Sequence, residues 1–302
     1  MGVKTKLKGD LAKWPFESPS DGEFRVSGRL TGVQFDMVPA HFLPATGPRW
    51  PHLHSLQGQL SFDRTGVQLS DASARFGESK NAVLLKAAAV EIADMRHDPQ
   101  LQLTADGTGE AAQFLAAVQQ SPLDQMLSQA LHNTTATGPV QLRLKLGLPL
   151  RHLKDSQVQG TVVLAGNDVR VTPATPWLEK VHGAVEFNQT GFKVSKAKAQ
   201  LLGGAVIMDA GLQPSSTPGA PPTLAFEVEG QISAEGLRGS KDLYPLNVLA
   251  QHLTGSSTYK ARLAWHQGQP ELSVHSALQG LAIQLPTPLG KTADTFKPLS
   301  LN

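Results

Sequence analysis

The sequence predicts a mainly β protein: a long, curved and repetitive antiparallel sheet that forms an open apolar groove, shaped like a trough, with two short amphipathic helices. Glycine and proline are plentiful, at 28 and 21 of 302 residues, while aromatic residues make up only 6%. This composition suits many short strands joined by turns. Apolar and polar residues also alternate, for example from Val140 to Leu148, as they do in a strand with one buried face.

Composition limits the classes of function. Hydrophobic residues account for 40% of the chain and charged residues for 17%, which is typical of a folded protein rather than a disordered one. Lys and Arg number 27 against 25 for Asp and Glu, so no general attraction for nucleic acid is expected. The absence of cysteine excludes disulfides, thiolate metal sites and a cysteine nucleophile.

The chain is predicted to contain a short N-terminal segment followed by two β-repeats. Residues 1–22 are interpreted as an N-terminal strand or tail that continues from a missing upstream part. Residues 23–150 form the first repeat and 151–302 the second, in one continuous sheet. Strands around Gly28 and Gly160 open the two repeats.

Internal similarity supports the two repeats. Pro51–Phe76 aligns without a gap with Pro176–Leu201, at a shift of 125 residues (176 − 51). Identical residue types meet at many positions, among them Gly58 with Gly183 and Phe62 with Phe187. A match of this length indicates two copies of one supersecondary unit, built to continue a sheet or to stack.

Each copy predicts a β-hairpin followed by a β-bulge. In the first copy, apolar residues alternate up to Phe62, resume after a turn, and then change parity between Leu69 and Ala72. The second copy changes parity at the equivalent place, between Val194 and Ala197. Because both copies change parity at the same place, the change indicates a bulge or bend in the strand.

Each repeat also carries a predicted helix, near 110–132 in the first and near 240–254 in the second. Pro122 and Pro245 occupy the first helical positions, where proline is favoured. The apolar stripe of the second helix ends at Leu253. An alternating strand follows each helix.

Two short helices are too small to cover the apolar face of so many strands. The sheet therefore either closes on itself, or curls into a trough whose inner face is covered by a ligand. In a closed sheet the same alternating residues are ordinary core. In a trough they are the candidate groove residues, namely Leu60, Phe62, Leu142, Leu144, Leu146, Leu148, Val185 and Phe187.

Catalytic chemistry is not indicated. The chain has no Gly-rich phosphate loop, nucleophile elbow or zinc-protease motif. His52 and His54 would share one face of a strand, but no third metal ligand is evident beside them. The sequence therefore predicts no catalytic residue, no metal site, no cofactor and no enzyme activity.

Five short segments follow one another in the order found in a known family: Trp50-Pro51, Leu56-Gln57-Gly58-Gln59-Leu60-Ser61-Phe62, Ser121-Pro122-Leu123, Leu148-Pro149-Leu150 and Leu285-Pro286-Thr287-Pro288-Leu289-Gly290-Lys291. They resemble the AsmA-like proteins of Gram-negative bacteria, in particular the YhdP type. The resemblance covers most of the chain, and it depends on the order and spacing of the segments.

The resemblance implies a very long protein that is anchored in the inner membrane by an N-terminal helix and crosses the periplasm as an apolar β-groove. Related members, including the TamB type, are regarded as bridges that carry phospholipid toward the outer membrane. The chain lacks the anchor and the distal end of that pattern. It is therefore expected to be an internal, periplasmic segment of the bridge.

The expected partners are phospholipid acyl chains and, in the full-length protein, the inner and outer membranes. No nucleic acid is expected. Self-association through exposed sheet edges is expected, because unpaired strand edges are templates for pairing. The alternative from a different class is a structural or adhesive β-repeat protein whose sheet is closed and holds no ligand.

Overall fold

A computed structural model describes residues 2–36, 52–77, 82–121, 131–152, 155–213, 223–266 and 269–301. Within them, 17 strands belong to one open antiparallel sheet, and the accompanying helices are short. The predicted class, mainly β with an open antiparallel sheet, is confirmed. A sheet closed on itself, the alternative left by the sequence, is not what these residues form.

The strands are β1 Val3–Gly9, β2 Gly22–Phe35, β3 Leu53–Asp63, β4 Gly66–Phe76, β5 Val83–Ile92, β6 Gln100–Glu110, β7 Thr135–Thr137, β8 Pro139–Pro149, β9 Gln157–Arg170, β10 Leu178–Asn188, β11 Gly191–Leu201, β12 Gly204–Gln213, β13 Thr223–Ser233, β14 Leu253–His266, β15 Gln269–Ser276, β16 Leu281–Ile283 and β17 Leu299–Leu301. The helices are α1 Ala111–Gln119, α2 Ala234–Gly239 and α3 Leu246–Leu249, with single 3₁₀ turns at Leu11–Lys13, Lys241–Leu243 and Ala250–His252. Strand β6 pairs with β8, and β7 pairs with β9.

The chain divides into two compact units. Unit 1 comprises Met1–His132, Pro139–Val162 and Phe187–Thr190, and unit 2 comprises Asn133–Gly138, Val163–Glu186 and Gly191–Asn302. Each unit has an apolar cluster of its own, which includes Leu56 and Ala72 in unit 1 and Val181 and Ala197 in unit 2.

The sequence repeat corresponds to a structural repeat. Strands β10 and β11 begin and end 125 residues after β3 and β4, as the bounds 178 − 53 and 201 − 76 show. Strand β13 begins and ends 123 residues after β6 (223 − 100), and each of these two strands leads directly into a helix. The two predicted hairpin segments are confirmed.

Bulges occur at equivalent positions in the two units. Asp71 in β4 and Lys196 in β11 are 125 residues apart (196 − 71), with φ of 49° and 50°. The strand register shifts at both places. Ser55 in β3 and Lys180 in β10 form a second equivalent pair, with φ of 54° and 52°. The predicted parity change is therefore a β-bulge in both copies.

The bulge in β4 keeps the apolar residues of that strand on one sheet face. Leu69 before the bulge and Ala72 after it both stand opposite apolar residues of β5, Val90 and Ala88. A left-handed conformation costs a non-glycine residue about 1–2 kcal/mol. Without the bulge, Phe76 and its apolar neighbours would turn to the polar face, and exposing one Phe alone costs about 1.5–3 kcal/mol. Burial therefore outweighs the strain.

Two aspartates accept hydrogen bonds from the backbone amides of the bulges in unit 2. The amide of Lys180 donates to Asp168 Oδ1 at 3.0 Å, and the amide of Lys196 donates to Asp209 Oδ1 at 3.1 Å. A bulge takes its amide out of the strand ladder, and a backbone donor without a partner is costly. The carboxylates supply the missing acceptors.

The helices differ from the prediction in the second repeat. Helix α1 lies inside the predicted segment 110–132 but ends at Gln119. The predicted first helical residue, Pro122, lies outside the described residues. In the second predicted segment, 240–254, the only α-helix is the short α3, with Pro245 immediately before it and a 3₁₀ turn on each side. Helix α2 lies before this segment and was not predicted. The helical stripe was predicted to include Leu253, which is wrong, because Leu253 pairs with Ile283 as the first residue of β14.

Candidate functional site

Each unit has one apolar sheet face and one polar sheet face. Strand β3 shows the alternation in unit 1, where Leu60 and Phe62 lie on one face while Gln59 and Ser61 lie on the other. The polar face carries cross-strand ion pairs, such as Lys6 with Glu23 at 2.7 Å and Arg25 with Asp63 at 2.8 Å. The apolar face is therefore the candidate binding surface.

Two adjacent rows of apolar side chains cross β3, β4, β5, β6 and β8 of unit 1, and we call them the open rows. The first is Leu60, Leu69, Val90, Leu103 and Leu146, and the second is Phe62, Val67, Ile92, Leu101 and Leu148. Every side chain in both rows is half-buried. With adjacent strands about 4.8 Å apart, each row is about 19 Å long.

The opposite ends of these strands form another part of the same face, and helix α1 packs on it over β6. A Cβ on Gly107 would stand 3.4 Å from Phe114 Cζ, and one on Gly109 would stand 3.4 Å from Phe114 Cε2. The two glycines therefore make room for the Phe114 ring. The fully buried apolar residues of this region are Leu56, Ala72, Ala74, Val83, Ala105 and Val140. We call this region the packed half.

In β4 and β5 a bulge lies between the open rows and the packed half, whereas in β3 the bulge lies beyond the buried Leu56. In β3, β4 and β5 the left-handed residues are Ser55, Asp71 and Ala87. In β4, Leu69 of the open rows precedes the bulge and the buried Ala72 follows it. Because bulges bend strands and increase their twist, the two parts of the face are set at different angles.

The candidate groove residues predicted from the sequence all lie on the apolar face and are all half-buried. Four of them belong to the open rows: Leu60, Phe62, Leu146 and Leu148. Leu144 stands opposite the buried Ala105, and Leu142 stands opposite Gly107. Leu142 Cβ is 3.3 Å from where a Cβ on Gly107 would stand, so this residue belongs to the packed half.

The remaining two candidates lie on β10. Val185 packs against the apolar cluster of unit 2. Phe187, in unit 1, covers Gly160 of β9, since a Cβ on Gly160 would stand 2.2 Å from Phe187 Cζ. A glycine beneath the ring is therefore needed for Phe187 to lie close to the sheet.

The apolar cluster of unit 2 includes a buried tyrosine, Tyr259 of β14. Its strand partners are Gly230 on one side and Ser276 on the other. Burial raises the pKa of Tyr259 to about 12. Its hydroxyl has no hydrogen-bond partner among the described residues, which makes it a buried polar group in an apolar setting.

We expect Tyr259→Phe to raise the free energy of unfolding by about 1 kcal/mol, because the change removes an unsatisfied buried hydroxyl and keeps the ring. Urea unfolding followed by circular dichroism measures the change. Tyr244→Phe is the matched control, since Tyr244 is 78% exposed and its substitution should leave the midpoint unchanged. A loss of stability in Tyr259→Phe would contradict the prediction.

Loops at the ends of the open rows are linked by an ion pair and a hydrogen bond, and we call these loops the rim. Arg96 Nη1 lies 2.7 Å from Glu17 Oε1, and Arg151 Nη2 donates to the carbonyl oxygen of Arg96 at 2.6 Å. The backbone amide of Arg96 and the ring of His97 lower the pKa of Asp94 to about 2. Sequence reasoning did not find the rim, because Glu17 and Arg96 are 79 residues apart.

The paired histidines of the sequence lie on the polar face. The rings of His52 and His54 are 6.1 Å apart, and His52 Nδ1 contacts Asp36 Oδ1. Over the part of the chain that the structure describes, no group of three or more His, Cys, Asp or Glu side chains is placed to hold a metal ion. The open rows remain the candidate site.

Comparison with known proteins identifies one family. The family model described as YhdP protein matches residues 2–302. Neither a curated protein nor a solved structure matches the chain. No helix among the described residues has the length and apolar character needed to cross a membrane.

Proposed function

Because the chain belongs to the YhdP family, we propose that it is a segment of a bridge-like protein that carries phospholipid between the inner and outer membranes along its apolar sheet face. In this proposal the segment lies in the periplasm. The full-length protein is anchored to the inner membrane by a part outside this chain.

The open rows carry the proposal. Two neighbouring rows without a polar side chain cross five strands of unit 1, and each of their side chains remains half-exposed. An apolar surface of this length that is partly exposed to water is typical of a binding site, whereas core residues are fully buried. An acyl chain laid along it would remove both surfaces from water.

The energetics fit a carrier better than a specific receptor. Each CH₂ group that leaves water contributes about 0.8 kcal/mol, so an acyl chain binds without any specific polar contact. The rows consist of Leu, Val, Ile and Phe side chains, which offer similar affinity at every step. A lipid bound in this way meets no position of much lower free energy along the sheet. Its movement along the sheet therefore needs no chemical step.

The proposal therefore assigns no enzyme activity, cofactor, metal or nucleic acid to the chain. Its partners are phospholipid acyl chains and, for the full-length protein, the two membranes. Self-association is proposed through β1, whose seven residues are all exposed. An exposed strand edge favours pairing with a second copy.

The purified chain should carry phospholipid. Native mass spectrometry is expected to show lipid adducts, and organic extraction should release phospholipid that thin-layer chromatography identifies. Protein stripped of lipid should bind a fluorescent phospholipid again. A protein that is free of lipid as purified, and that also fails to bind the fluorescent phospholipid while its circular dichroism shows a folded β-sheet, would contradict the proposal.

A further inference from the structure

We propose that phospholipid acyl chains bound to unit 1 occupy the two open rows alone, and that the packed half of the same face is permanent core. The inference rests on the proposed function and adds the position of the lipid on the sheet. It also places the headgroup at the rim.

The two parts of the face differ in their most buried side chains. The packed half contains small, inaccessible side chains such as Ala72, 1% exposed, and Val83, 1% exposed. No side chain of the open rows is buried to that extent. Over β6, a lipid could enter the packed half only by displacing the Phe114 ring of α1 from Gly107 and Gly109. Opening a packed core costs several kcal/mol, whereas the open rows are already accessible.

The bulge line gives the division a structural cause. Ser55, Asp71 and Ala87 place one left-handed residue in each of three successive strands, β3, β4 and β5. Each of the three residues is exposed. The extra residue lengthens the strand locally and bends it. In β4 and β5, the open-row residues and the packed residues therefore lie on differently angled stretches of strand.

The charges of the rim favour a phospholipid as the occupant. Arg64, Arg96 and Arg151 lie in the loops that follow β3, β5 and β8 at the ends nearest the second open row. Glu17 accompanies Arg96 at 2.7 Å and Asp63 accompanies Arg64 at 3.9 Å. The rim thus offers both signs of charge, which complements a zwitterionic headgroup with its phosphate and ammonium groups. The headgroup is therefore expected beside the rim, with the acyl chains lying on the open rows.

Site-specific photocrosslinking tests the position. Phe62, in the second open row, and Phe76, in the packed half, form a matched pair, since both are half-buried Phe residues on the apolar face. Each is replaced in turn by p-benzoylphenylalanine in the whole chain. The protein is then irradiated with phosphatidylethanolamine vesicles whose acyl chains carry an alkyne tag. Labelling is expected to be several-fold stronger at Phe62 than at Phe76.

The outcomes distinguish this inference from the proposed function. Equal labelling at both positions, or stronger labelling at Phe76, would overturn the inference and leave lipid carriage standing. Labelling at neither position, or crosslinks at Phe62 to protein alone, would overturn both. Leu69 and Leu85, half-buried on β4 and β5 on the two sides of the bulge line, are a second pair that guards against misfolding of the first. Thermal melts confirm the fold of each variant.

Discussion

A carboxylate placed in the open rows is expected to abolish lipid carriage by this chain. Leu103 lies inside the first row, opposite Val90 of β5 and Leu146 of β8. In Leu103→Asp, an acyl chain that crosses this point loses contact for about three CH₂ groups, or about 2.4 kcal/mol. This weakens binding roughly fiftyfold, and desolvation of the carboxylate weakens it further.

Thr104→Asp is the matched control. Thr104 is the next residue on the same strand, and it lies on the polar face opposite Lys145, where a carboxylate gains an opposite charge. The dissociation constant of a fluorescent phospholipid and the amount of co-purified lipid are measured for both variants. Equal binding by Leu103→Asp and Thr104→Asp, with both folded by circular dichroism, would refute the role of the open rows.

The repeated features of the fold could be predicted because the sequence states them twice. The parity change between Leu69 and Ala72 is weak by itself, since one residue out of phase is common. Its recurrence between Val194 and Ala197 made a bulge the simplest interpretation. Both bulges occur, at Asp71 and Lys196. Hairpin bounds were predictable for the same reason, because the turns and the alternation agree in the two copies.

What covers the apolar face could not be predicted from alternation. In the stripe from Leu142 to Leu148, leucine recurs at every second position. The sequence therefore predicted one role for all four leucines, the lining of a groove. The structure divides the stripe, because Gly107 and Gly109 on the neighbouring strand admit the Phe114 ring at one end only. Alternation shows which side chains share a face, whereas cover depends on contacts between segments that are distant in sequence.

Helix α2 escaped prediction for a related reason. Its sequence contains Gly236 and Gly239 within six residues, and glycine is unfavourable in helices by about 1 kcal/mol. Local propensity therefore argued against a helix here. The helix forms because Ser233 Oγ accepts the amide of Gly236 at 3.0 Å, and because glycine allows the helix to approach the turn between β11 and β12.

That close approach predicts a large loss of stability in Gly236→Ala. A Cβ at this position would stand 2.0 Å from the carbonyl oxygen of Leu202 and 2.1 Å from its carbonyl carbon. These are backbone atoms, so no side chain can rotate away. The same oxygen accepts the amide of Ser233 at 3.2 Å, and moving the helix would break this hydrogen bond as well. We expect a destabilisation of about 3 kcal/mol, at the upper end of the range for overpacking.

Gly239→Ala provides the control within the same helix, because among the described residues its added Cβ meets no atom within 4 Å outside its own helix. Alanine is the better helix former, so this variant should unfold at the same urea concentration as the parent or gain up to about 1 kcal/mol. Urea unfolding followed by circular dichroism and by tryptophan fluorescence compares the two variants. Similar midpoints for both would mean that α2 does not rest on the β11–β12 turn. A large loss in Gly236→Ala alone would show that steric contact with the turn, and not helix propensity, determines the position of the helix.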